Sequence, residues 1–221
     1  TILAYFVMCS VSYASDVYIT QSGASLTANI NQDGQTNRFG VTGTVVTLTG
    51  DNQTLDIDQV GNTNTIAASV VGATQTLTIN QAGSSNTSTV SVGANSAADD
   101  NSIIQAITGS SNTTTVNVGS SAASSDADID LVATGSSNTV TINENSTASM
   151  IGSDKKITSI TAIGSSNTIT STHIGAADQD TTLHHTGSSS TFAITQDGAH
   201  DGSVSITTVG SGHNVTVTMD D

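Results

Sequence analysis

The sequence predicts an all-β fold, a β-solenoid of about eight strand–turn–strand rungs forming two parallel stacked sheets. Three observations carry this expectation: a recurring Gly-x-x-Asn turn, period-two apolar patterning on both sides of it, and the near absence of bulky core residues. A repeat with a period of 20–50 residues indicates a stacked array rather than an ordinary globular core.

The turns are Gly34-Gln-Thr-Asn37, Gly61-Asn-Thr-Asn64, Gly83-Ser-Ser-Asn86, Gly109-Ser-Ser-Asn112, Gly135-Ser-Ser-Asn138, Gly164-Ser-Ser-Asn167, Gly187-Ser-Ser-Ser190 and Gly210-Ser-Gly-His-Asn214. Their Gly-to-Gly spacings are 27, 22, 26, 26, 29, 23 and 23 residues. Two, four and six residues before the Gly stand sets such as Leu55, Ile57, Gln59 and Leu77, Ile79, Gln81, with Asp56, Asp58, Thr78 and Asn80 between them. That is a strand with one buried face and one wetted face. Beyond the turn the alternation resumes, as in Asn64, Ile66, Ala68, Val70 and Ser190, Phe192, Ile194, Gln196. Gly permits the positive φ of a short reversal, and the Asn can bond backbone at the corner. Stacked repeats place those Asn amides one above another, each expected to donate to the next. The second connection of each rung varies in length, as insertions along one edge of a solenoid do.

The chain has 221 residues, no Pro, no Trp and six aromatic residues, so Val, Ile and Ala must fill thin layers between the strands. Strict alternation argues against disorder, which has no face to preserve. Net charge is −15, with Arg38, Lys155 and Lys156 as the cations. Nucleic-acid binding needs a cationic surface and is excluded; the same charge is repelled by anionic membranes.

Residues 1–15 differ from the rest. The run Ile2–Val11 followed by Ser12-Tyr13-Ala14 reads as the h-region and cleavage site of a truncated secretory signal, leaving 16–221 as the repeat domain. Cys9, the sole cysteine, lies within it, so the processed chain is expected to form no disulfide. A first buried strand is the alternative reading of this segment.

The pattern strand-Gln-x-Gly-x-x-Asn-strand, seen in Gln32-Asp-Gly34-Gln-Thr-Asn37, Gln59-Val-Gly61-Asn-Thr-Asn64 and Gln81-Ala-Gly83-Ser-Ser-Asn86, resembles curlin repeats. Gln21-Ser-Gly23 is similar. The resemblance implies a secreted subunit of curli-like extracellular amyloid fibres, serving adhesion or biofilm matrix. By the same resemblance, a dedicated outer-membrane pore exports it and a surface nucleator starts assembly. It covers residues 17–221, but the Gln before the Gly becomes Ala133, Ala162, His185 or Thr208 in later repeats, and repeats run long. Curlin-like repeats also suggest a virion fibre.

Catalysis has little support. No Gly-x-Ser-x-Gly elbow or phosphate-binding Gly-Lys-Ser/Thr loop occurs, and Glu144 is the only Glu. No cofactor is expected. The acids Asp99, Asp100, Asp126, Asp128, Asp130, Asp154, Asp178, Asp180, Asp197 and Asp201 are expected together on the second connections. The spacing Asp126-Ala-Asp128-Ile-Asp130 would suit calcium, but a solvated acidic edge is the plainer reading. Among His173, His184, His185, His200 and His213, His184 and His185 are adjacent and point to opposite faces, with His185 in the inward Gln column. Thr113–Thr115, Thr139-Val-Thr141, Thr168-Ile-Thr170 and Thr216-Val-Thr218 place Thr on one outer face. That arrangement opens a second class of function, a monomeric solenoid binding ice or a glycan through the face.

Overall fold

The computed structural model describes residues 2–9, 15–34, 36–40, 45–61, 63–72, 74–83, 85–92, 101–109, 111–118, 127–145, 155–175, 178–198 and 202–220. Every element among them is a β-strand. One sheet of nine strands contains, in spatial order, β1 (Ile2–Cys9), β4 (Leu26–Asp33), β7 (Gln53–Val60), β9 (Gln75–Ala82), β11 (Asn101–Thr108), β13 (Ala127–Thr134), β15 (Lys155–Ile163), β17 (Asp178–Thr186) and β19 (Gly202–Val209). The second sheet runs through β2 (Ser15–Val17), β5 (Asn37–Phe39), β8 (Thr65–Val71), β10 (Thr87–Val92), β12 (Thr113–Val118), β14 (Thr139–Asn145), β16 (Thr168–Ile174), β18 (Thr191–Asp197) and β20 (Asn214–Asp220). All strand pairs are parallel, and each strand's neighbours come from adjacent rungs. At about 4.8 Å per rung the stack is on the order of 40 Å tall.

The eight motif corners join β4 to β5, β7 to β8, and so on to β19 and β20, as the repeat predicts. A ninth rung precedes them. Ile2–Cys9 pairs in parallel with Leu26–Asp33, and this segment lacks the Gly-x-x-Asn signature by which rungs were counted.

In the two earliest rungs the second strand is broken. Two short strands, β3 (Thr20–Ser22) and β6 (Val46–Thr49), continue β2 and β5 and pair with each other. Gly40, at φ 65°, ends β5, and β8 then spans both pieces, matching Phe39 to Ile66 and Val46 to Ala68. The extra length of the Gly34–Gly61 repeat is absorbed at this break.

The inner faces of the two sheets meet in one core of Leu, Ile, Val, Ala and two Phe. Columns such as Ala28, Leu55, Leu77, Ile103, Ile129 run rung to rung in register, and each member is at most 1% exposed. Burying one such aliphatic side chain contributes roughly 1.5–3 kcal/mol. No rung can do this alone, because its two strands have only each other's inner face and no backbone partner.

The motif glycines have a second role beside their φ. A Cβ built on Gly164 would lie 1.5 Å from the Gly135 carbonyl oxygen, and one on Gly83 would lie 1.8 Å from that of Gly61. Each corner therefore sits directly on the one below, with a spacing only Gly tolerates. Two positions on, Ser166 and Ser189 adopt φ 60° and 55°, and Gly212 occupies the equivalent place at φ 73°. A side chain in that left-handed region costs roughly 1–2 kcal/mol. We expect Gly164→Ala to destabilise the fold by roughly 3 kcal/mol or more. Ser189→Gly should stabilise it by about 0.5–1 kcal/mol, after the entropy cost of Gly. Urea denaturation of the two variants checks both signs.

Candidate functional site

Two surfaces carry the chemistry: the amide columns at the corners and the last rung they lead to. In the first corner the Asn column is buried throughout, from Asn37 and Asn64 to Asn138 and Asn167. The amides do not mainly bond one another. Asn37 Nδ2 donates to the Val60 carbonyl at 2.7 Å, Asn64 to Ala82 at 2.9 Å and Asn86 to Thr108 at 3.0 Å. Each clamps the end of the next rung's first strand, just before its Gly. Asn112 makes both contacts, reaching the Thr134 carbonyl at 3.2 Å and Asn138 Oδ1 at 2.9 Å. Further on, the backbone N–H of Asn138 donates to Asn167 Oδ1, and that of Asn167 to Ser190 Oγ. The clamp follows from geometry: a short Asn side chain reaches a neighbouring backbone carbonyl more easily than an amide a full rung away.

The direct side-chain ladder belongs to the Gln column. Gln59 Nε2 donates to Gln32 Oε1 at 2.7 Å, and Gln81 Nε2 to Gln59 Oε1 at 3.0 Å. Each Gln also reaches across the corner to the start of the second strand, Gln32 to the Arg38 carbonyl, Gln59 to Thr65 and Gln81 to Thr87.

A second amide column was not read from the sequence. At the opposite corner Gln53 Nε2 donates to the Gly23 carbonyl and Gln75 Nε2 to that of Gly50, both at 3.2 Å, and Gln179 bonds Gly175. Gly50-Asp-Asn-Gln53 and Gly72-Ala-Thr-Gln75 repeat the Gly-x-x-amide spacing of the first corner, and that signal would have found it.

The sequence alignment places Asn214 in the Asn column, and the structure corrects this. Thr191 pairs with Asn214, so Ser190 stands over His213, and Asn214 continues the exposed Thr column of the second sheet. His213 therefore holds the last Asn position. His185 lies in the inward Gln column as read, while His184 faces out. The His185 ring is 2% exposed, with Nε2 at 3.0 Å from Ser190 Oγ and 3.1 Å from both Asn167 Nδ2 and the Gly164 carbonyl. Burial holds its imidazole below the ordinary histidine value; the Gly164 bond pulls the other way and His213 adds to the lowering. Near the opposite corner His173 is buried between Ser171 and Thr181.

The acids do not all fall on the second connection. Asp128 and Asp130 lie on the outer face of β13, in alternate positions of a regular strand, and Asp180 lies likewise on β17. Asp178 and Asp197 stand at strand ends by the second corner, whereas Asp99, Asp100, Asp126, Asp154 and Asp201 lie outside the described residues. Asp56 and Asp58 share the outer face of β7, where Asn29 and Asn80 donate to them. Burial, then the neighbouring Asp58, raises the Asp56 carboxyl above its ordinary value. Among the described residues no three His, Cys, Asp or Glu side chains gather closely enough to hold a metal ion.

The outer face of the second sheet is different. Register aligns Thr65, Thr87, Thr113, Thr139, Thr168 and Thr191 in one column. The next holds Ala67, Thr89, Thr115, Thr141, Thr170, Ala193 and Thr216, and a third holds Ser69, Ser91, Asn117, Asn143, Thr172, Thr195 and Thr218. From Thr65 onward these columns carry no charge; at its early end the first continues into Arg38 and Asp16, which lie 4.0 Å apart on the same face.

Among the described residues β19 and β20 are each terminal in their sheets. Their inward positions continue the core columns, with Val204 and Ile206 half-covered and Val215 45%, Val217 42% and Met219 50% exposed. Their far edges carry strand N–H and C=O groups with no neighbouring strand among the described residues.

We expect Gln59→Ala to cost about 2–4 kcal/mol, because it removes the donor to Gln32 Oε1 and the acceptor of Gln81 Nε2 and leaves a cavity in the buried column. Thermal unfolding followed by far-UV circular dichroism measures it. Compared with known proteins, the chain matches no family model, no curated protein and no solved structure.

Proposed function

We propose that the chain is a secreted structural subunit that assembles end to end into a curli-like extracellular fibre for adhesion or matrix building. The observation that carries this reading is the last rung. It continues both sheets in register, yet its core columns are open and its far edges have no neighbouring strand among the described residues. Such an edge is a template for another strand. A second copy presenting a rung of the same design would continue both sheets and bury Val204, Ile206, Val215, Val217 and Met219. The product is cross-β, with strands perpendicular to the growth axis.

The proposed leader fits this scheme. Removing residues 1–15 would take away β1 and uncover β4, whose inward Leu26, Ala28, Ile30 and Gln32 match the columns left open at the other end. The resemblance to curlin repeats adds an export pore and a nucleating surface protein as partners. No catalytic role or cofactor is part of the proposal.

The test is electron microscopy and fibre diffraction on the purified protein. Unbranched fibres with a reflection near 4.8 Å along the axis are expected. Val217→Asp, at a site already exposed, should leave the monomer folded and slow assembly by at least about tenfold, since it would bury an unpaired charge at the joint. Assembly of this variant at the parental rate would place the joint elsewhere.

The threonine face supports a second reading, a binding surface for ice or a neutral glycan. Its hydroxyls and methyls stand on a regular grid set by the rung spacing, and from Thr65 onward its three columns carry no charge in a chain of net charge −15. Thr141→Lys, in the middle of the grid, should abolish any freezing-point hysteresis while leaving fibre formation unchanged. Hysteresis absent from the parent protein removes the ice-binding reading.

A further inference from the structure

We infer that the joint is gated by protonation: the imidazole pair of His185 and His213 makes addition of a copy at the last rung favourable near neutral pH and unfavourable in mild acid. This rests on the reading above that copies join through β19 and β20.

The argument begins with a substitution in a column. Asn stands at this corner position in six rungs, then Ser190, then His213. An amide has no charge to gain between about pH 5 and 8, whereas histidine titrates there. The one rung that must meet an incoming copy therefore carries a titratable group where the interior rungs carry a neutral one.

The geometry couples that group to a second. The His213 ring stands edge-on to His185, with centroids 4.9 Å apart, and lies 5.8 Å from Phe192. His185 itself packs at 5.0 Å on Phe192. Both His213 ring nitrogens are shielded from solvent and have no hydrogen-bond partner, and so is Nδ1 of His185. A proton on either ring would face an aromatic edge or another imidazole rather than a carboxylate.

No acid is placed to compensate. In β17 Asp178, Asp180 and His184 occupy outward positions, and Asp197 of β18 faces out at the far end of its strand. Asp220 of β20 pairs with Asp197 and shares its column, and the described residues of β19 carry no charge. Among the described side chains of these rungs the other inward titratable group is His173, near the opposite corner. In the incoming copy, were β4 and β5 to lead, the matching corner would offer Gln32 and Asn37, with Asp33 and Arg38 outward.

The sign follows from burial. Addition of a rung takes His213 from half-covered to covered, and burial disfavours a charged imidazole. A proton taken up by this imidazole pair in acid would have to be shed, or buried without a partner, before a copy could join. The chain's overall charge works in the opposite direction. Acid reduces the net negative charge and with it the repulsion between copies, so a slower joint in acid cannot come from general electrostatics. The aspartates stay largely ionised down to about pH 5, which isolates the histidines.

The experiment measures seeded elongation of the whole chain near pH 7.5 and near pH 5, at one ionic strength, for the parent and for His213→Asn. This substitution restores the amide of the interior rungs. The parent should elongate at least about tenfold faster at the higher pH, and the variant should lose most of that ratio by gaining rate in acid. Equal parental rates at the two pH values, or the same ratio retained in the variant, would overturn the inference while leaving the joint itself intact. Failure of the parent to assemble at either pH would sink the joining reading, and the gate with it. Circular dichroism at both pH values accompanies the rates. Buried His185 makes the fold lose stability as pH falls below the ordinary histidine value, and a parent unfolded near pH 5 would overturn the gate in favour of simple acid denaturation.

Discussion

Everything in this molecule depends on one distance, the spacing of about 4.8 Å between hydrogen-bonded parallel strands. Rungs at that spacing, in register and unbroken, place each residue directly over its counterpart. Three consequences follow. A position facing inward is apolar or bonded in most rungs, with the shielded polar atoms of Asn101, Thr114 and His213 left without a hydrogen-bond partner among the described residues. A corner that approaches the next one must lack a Cβ. A polar group that cannot reach water must find its partner one rung up or down. The aliphatic columns, the glycine column and the amide columns are these three consequences in residue form.

The amides show how the constraint is met at unequal reach. Gln has one more methylene than Asn, so from the inward column it spans to the Gln of the neighbouring rung and still touches the next strand. Asn, closer to the backbone, instead ties off the neighbouring carbonyl at the corner. A buried amide left unsatisfied costs about as much as several ordinary hydrogen bonds contribute. Where Gln gives way to Ile107, Ala133 and Ala162, the requirement is removed along with the group, and the column becomes apolar. His185 restores a polar group and with it the need for partners, which Asn167, Ser190 and the Gly164 carbonyl supply.

The fold was legible because period two and the Gly-x-x-Asn corner are both local. The inward positions read on the two sides of that corner, Gln59 and Ile66 among them, are buried as read up to Gln196, whereas Val204 and Ile206 are half-covered and Thr208 is exposed. What was missed depends on register between distant segments. Gly210-Ser-Gly-His-Asn214 invites an Asn-to-Asn match, yet the backbone counts residues and puts His213 there. The Gln53, Gln75 and Gln179 column was hidden because connections of unequal length precede it. Asp128 and Asp130 were read as turn residues because acids are poor strand formers, but the outer face of a strand solvates them as well as a loop does. The carbonyl clamps of the Asn column needed atomic distances, since composition favours the amide ladder equally.

Direction in the stack bears on the form any assembly would take. All strand pairs are parallel, and the clamps of Asn37, Asn64, Asn86 and Asn112 point one way, from a rung to the strand end of the next. Two copies meeting by their identical last rungs would bring β19 against β19 in antiparallel sense, and the Asn-type corner of one over the opposite corner of the other. The aliphatic columns would then be displaced and the amides would find no carbonyl. A last rung meeting a first rung keeps the hydrogen-bond pattern, the corner contacts and the core columns together. Such a contact is heterologous, and with a translation along the stack it does not close into a ring. Were copies to join as proposed, this geometry would give an open filament rather than a two-fold dimer. It also makes the two ends chemically unequal, with Gln and Asn amides at the early corners and imidazoles at the last.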